Sequence, residues 1–89
     1  MKKTTIKTFG NKFCTVTLSD EPRIYRCHIG DELVSYTEHL LWVTVRKTYG
    51  GVVSEYIVDK YIEDDEDEKE SALRAAEIDL NCAMLVYGG

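Results

Sequence analysis

Apolar positions recur with a period of two from Thr4 to Ile62, and beyond Ile62 the spacing lengthens to about 3.6. The first pattern predicts strands and the second a helix. Turn chemistry divides the strand region. Gly10-Asn11 separates two short alternating runs between Thr4 and Leu18, which predicts a hairpin with a three-residue loop. Pairing Ile6 with Val16 and Thr8 with Cys14 puts these residues and Leu18 on one side and leaves Thr5, Lys7, Thr15 and Thr17 on the other. Asp20-Glu21-Pro22 is expected to interrupt the pairing, because proline offers no N–H to a ladder.

Arg23–Ile29 and Glu32–Glu38 flank Gly30-Asp31, a pair suited to a two-residue turn with positive φ. In that hairpin Cys27 opposes Val34, Tyr25 opposes Tyr36 and Arg23 opposes Glu38, while Ile24, Arg26, His28, Leu33 and Ser35 form a mixed reverse face. Leu40–Tyr49 and Val52–Ile62 are joined by Gly50-Gly51. The expected register sets Val43 by Val58, Val45 by Tyr56 and Tyr49 by Val52 on one face, and Trp42 by Asp59, Thr44 by Ile57 and Arg46 by Glu55 on the other.

The helix is expected over about 65–87, with Asp64 or Asp65 as N-cap and Gly88-Gly89 ending it. Leu73, Ala76, Leu80, Met84 and Tyr87, edged by Ala72 and Ala83, form the stripe that should lie on the sheet. A second stripe, Ala75, Ile78, Cys82, Leu85 and Val86, projects from the opposite side. One stripe suffices for a helix on a sheet, so the second should be covered by the N-terminal hairpin or by another chain. The fold class is therefore α+β: an antiparallel sheet of successive hairpins with one C-terminal helix on one face. At 89 residues the chain has room for one domain, 1–89.

Charge alters this picture at one place. Glu63–Glu70 reads EDDEDEKE, a net −6, whereas the whole chain carries −5, so the remainder is close to neutral. Such a run is commonly just a solvated helix start with acids placed favourably for the helix dipole. Its density argues for more, since six consecutive acids repel one another and two or three would suffice for capping. A ridge of Glu63, Asp64, Asp65, Glu66, Asp67, Glu68 and Glu70 would attract the Lys and Arg of surfaces that otherwise hold nucleic acid.

Other chemistry finds little support. The run lacks the alternating ligands and central glycine of a calcium loop, so no metal or other cofactor is expected. Cys14, Cys27 and Cys82 are an odd set without close spacing, and Cys14 and Cys27 fall on apolar faces as buried thiols would. Cys27 and His28 are adjacent and point to opposite faces of a strand, which opposes a shared ion. No nucleophile elbow, phosphate loop or metalloprotease motif occurs, so no catalytic residue is expected and the protein is read as a non-enzyme. The terminal Gly-Gly matches ubiquitin-like modifiers in two residues only, and after a helix it reads as a C-cap.

The likeliest function on these grounds is binding of a basic protein surface, that of a nucleic-acid-binding protein or complex, and inhibition by occupying it. In size, acidity and lack of a catalytic motif the chain resembles in type small phage-encoded inhibitors of bacterial defence such as anti-CRISPR proteins, several of which imitate nucleic-acid charge. The alternative is a structural module that self-associates, as a homodimer for example, through the second helix stripe. Third is direct DNA or RNA binding by a sheet face bearing Arg26, His28, Trp42, Arg46 and Tyr61, which the adjoining −6 segment opposes. No signal peptide or stretch of about 18 apolar residues is present, from which a cytoplasmic location and no membrane partner are expected.

Overall fold

The computed structural model describes residues 3–88. It contains β1 (Thr4–Gly10), β2 (Cys14–Ile29), β3 (Glu32–Lys47), β4 (Gly51–Ile62) and α1 (Glu66–Tyr87). The strands form one antiparallel sheet in the order β1-β2-β3-β4, and α1 packs on one face, the α+β architecture expected from the change of period.

β2 and β3 pair without interruption from Cys14↔Lys47 to Ile29↔Glu32. The first hairpin's pairing does end at Asp20, as expected, but the strand itself does not break at Asp20-Glu21-Pro22. β1 reaches only as far as Thr4↔Asp20, so from Glu21 onward β2 is an edge strand on that side, where a missing N–H leaves no ladder bond unmade. β4 likewise ends at Glu38↔Ile62. Residues 24–37 therefore continue as a two-stranded arm beyond the body. Sixteen-residue strands account for the long dimension of a molecule measuring 55 × 25 × 15 Å. The arm keeps the expected register, with Arg23↔Glu38, Tyr25↔Tyr36 and Cys27↔Val34, and Gly30 turns it with φ 64°.

The other two hairpins depart from the expected registers. Asn11 Oδ1 accepts from the N–H groups of Phe13 (2.8 Å) and Cys14 (3.0 Å), which closes the first turn over 11–13 and moves the pairing on by three residues. Phe9, rather than Ile6, opposes Val16, and Ile6 sits at a bulge and is exposed. In the third hairpin Thr48 is drawn toward the first turn, its N–H donating to Phe13 O and its hydroxyl to Lys12 O. β4 consequently begins at Gly51 opposite Lys47, three residues off the expected register, and two bulges then bring it back by one residue each. Val43 meets Tyr56, Thr44 meets Glu55 and Trp42 meets Ile57, so the proposed Arg46–Glu55 pair does not form. Glu55 is held by Lys3 (3.0 Å) and Thr44 (2.9 Å), which keep its carboxyl below the usual carboxylate range.

The core lies between body and helix. Cys14, Val16 and Leu18 of β2 and Leu41, Val43 and Val45 of β3 are fully buried beneath α1. The helix contributes Ala72, Ala76 and Ala83, whose methyl groups permit close approach, and one fully buried large side chain, Leu80, with Leu73, Met84 and Tyr87 packed partly buried against the core. Cys27, expected in the core, is exposed because it stands on the arm, beyond the reach of the helix.

Candidate functional site

The acidic run occupies the corner where β4 ends, the arm departs and α1 begins. Asp64 turns the chain with φ 73°, the one non-glycine positive φ among the described residues. Asp65 is the N-cap, and its Oδ1 accepts from Glu68 N–H at 3.0 Å. Glu68 reaches back to accept from Ile62 N–H at 2.8 Å, a variant of the reciprocal capping box that ties helix to strand. Because left-handed backbone is costly for any residue with a Cβ, Asp64→Gly should raise stability by about 0.5–1 kcal/mol, whereas Asp64→Ala, which removes the same charge, should not. Paired thermal melts check this.

The seven carboxylates divide by role. Glu63 contacts His39 Nε2 (3.3 Å), Asp65 and Glu68 cap backbone, and Glu70 pairs with Arg74 one turn on (3.0 Å). Asp64, Glu66 and Asp67 are exposed and make no side-chain hydrogen bond or ion pair among the described residues. These three form the part of the ridge open to a partner. Beside them, Glu63 and Asp64 wall an open cleft of about 470 Å³ whose opposite side is the arm, with Ile24, Arg26, Ser35 and Thr37.

Beneath the ridge lies a polar cluster that the sequence reading missed. His39 Nδ1 lies 2.9 Å from Asp20 Oδ1, its ring stacks on Tyr61 at 4.7 Å, and Tyr61 donates to Asp20 Oδ2 at 3.1 Å. Only the pairing of β2 with β3 and of β3 with β4 assembles it, although its members are far apart in the chain. Burial, with the Asp20 charge, pushes the Tyr61 hydroxyl up to about 12. Burial and a bond to Asp79 (2.9 Å) push Tyr56 up to about 12 as well. A phenol with a folded-state pKa above its unfolded value near 10 stabilises the fold fully below pH 10, and that contribution disappears as pH rises toward 12. Stability should accordingly fall between about pH 10 and 12. In a phenolate absorbance titration two of the six tyrosines should ionise late and together with unfolding.

The remaining candidates are less concentrated. The five residues expected to form a nucleic-acid platform do not share a face. Trp42 and Arg46 point away from the helix, Tyr61 is buried on the helix side, and Arg26 and His28 lie on the arm in the same parity as Val16 and Leu18. Trp42 instead donates to Glu21 (3.2 Å) and lies under the Lys3 ammonium (4.0 Å). The second helix stripe is uncovered: Ile78, Leu85 and Val86 are 61%, 80% and 74% exposed, with Ala75 and Cys82 also exposed. The N-terminal hairpin cannot cover it, because β1 lies within the sheet on the far side of the helix. No group of three or more metal-ligating side chains occurs among the described residues, nor any helix long and apolar enough to cross a membrane.

Comparison with protein-family models, curated proteins and solved structures finds no match to this chain.

Proposed function

We propose that this protein is a non-enzymatic binding protein that inhibits its partner by occupying a basic surface otherwise used to hold nucleic acid. The observation that carries the reading is the state of the acidic corner. Asp64, Glu66 and Asp67 are exposed at a helix start already supplied with its capping carboxylate, Asp65. Capping and packing do not require them, and their mutual repulsion opposes folding. A partner groove lined with Lys and Arg relieves that repulsion on contact. Glu63 and Asp64 also face the cleft at the base of the arm, so a basic side chain could be gripped between ridge and arm.

Such recognition has a signature. The immobilised protein should retain basic nucleic-acid-binding proteins from a lysate of its source cells, and added duplex DNA or RNA should displace them. Binding should weaken steeply with salt, because exposed charges are screened beyond about 8 Å at physiological ionic strength. Retention that is indifferent both to polyanion and to salt would sink the proposal.

A further inference from the structure

The uncovered stripe on α1 has a geometry that selects one kind of occupant. Along it, small and large side chains alternate as Ala75, Ile78, Cys82 and Leu85. In an antiparallel arrangement of two such helices, one register sets Ile78 opposite Cys82 and Leu85 opposite Ala75, with Val86 left at the edge. The same register satisfies both copies at once, which is the condition for a two-fold interface.

Charge fixes the direction. A parallel pair would lay two −6 segments side by side. An antiparallel pair separates them along the helix axis by roughly 40 Å at 1.5 Å per residue. It also brings the acidic helix start of each copy toward the opposite end of the other. That end is basic. Lys47 Nζ donates to the Tyr87 carbonyl at 3.1 Å, Lys12 lies in the adjoining 11–13 turn, and the last turn of the helix contains no basic residue of its own.

We propose that the protein forms a two-fold homodimer through antiparallel pairing of α1 along Ala75, Ile78, Cys82 and Leu85, with Val86 at the rim. This assembly is independent of the acidic ridge as a binding site, and it displays two ridges at opposite ends. Three turns of helix bury less than the roughly 800 Å² per partner of a standard interface, so the dimer should dissociate in the micromolar range.

Sedimentation velocity from about 1 to about 500 µM should show a monomer–dimer equilibrium with its midpoint in this range. Ile78→Glu with Leu85→Glu should raise the midpoint at least roughly 100-fold. Both side chains are largely solvent-exposed, and an unchanged circular dichroism spectrum will show that the variant is folded. Register is tested by oxidation in a Cys27→Ser background. A chain carrying Ile78→Cys and Cys82→Ser, mixed with one retaining Cys82, should yield a disulfide between position 78 of one copy and Cys82 of the other. A protein that is monomeric throughout, a dimer indifferent to the glutamates, or preferential linkage of Cys82 to Cys82 would each overturn the proposal.

Discussion

Replacing Leu80 by alanine is expected to lower the free energy of unfolding by about 3 kcal/mol, within the 2–5 kcal/mol range of buried leucine truncations. The reason lies in how the helix is attached. Of its four buried residues, Ala72, Ala76 and Ala83 offer one methyl each, and Leu80 alone enters the core as a fully buried large side chain. Its loss removes three carbons from water-free packing and leaves a cavity in a core whose other wall is a sheet that cannot collapse inward without breaking its ladder. For a domain of this size, 3 kcal/mol is a large share of a total of roughly 5–15 kcal/mol. Chemical denaturation should show a lower midpoint at unchanged slope. By contrast Leu85→Ala, on the same helix but 80% exposed, should change the monomer's stability by less than about 0.5 kcal/mol.

The second large effect concerns binding. The triple change Asp64→Lys, Glu66→Lys and Asp67→Lys takes the 63–70 segment from −6 to neutral, while the capping bonds of Asp65 and Glu68 and the Glu70–Arg74 pair remain. If each carboxylate contributes about 1 kcal/mol to a basic partner, affinity should fall at least about 100-fold, and the new cations add repulsion. The change in stability should be small. Three lysines in or beside a first helical turn each cost about 0.3–1 kcal/mol against the helix dipole, offset by relief of acid–acid repulsion. Calorimetry against a captured partner, with a thermal melt of the variant alongside, separates the two quantities. Undiminished affinity in a folded variant would remove the ridge from the interface.

The registers show where local chemistry specifies structure and where it does not. The Gly30-Asp31 hairpin pairs as read, because a two-residue turn with glycine at positive φ leaves one register open to it. The hairpin around Gly10 slips by three because the Asn11 side chain captures two backbone N–H groups, an event decided by a rotamer rather than by alternation of polarity. The third hairpin slips because Thr48 bonds to the first turn, a contact between segments about 35 residues apart. Cys27 is exposed rather than buried for a related reason: alternation tells which side of a strand a residue occupies, but not whether anything lies above it.

From its sequence alone the protein is determined to be an α+β domain of antiparallel hairpins and one amphipathic helix, capped within the acidic run and apolar on two sides. Those features depend on side-chain periodicity, turn residues and local charge, all of which act over a few residues. Tertiary structure alone decided that β2 and β3 run straight through Pro22 into a projecting arm. It also decided that Asp20, His39 and Tyr61 meet beneath the ridge and that, of the seven carboxylates of the ridge, Asp64, Glu66 and Asp67 stand clear of partners among the described residues. Each of these depends on where a neighbouring strand ends, and strand ends are set by packing across the whole sheet.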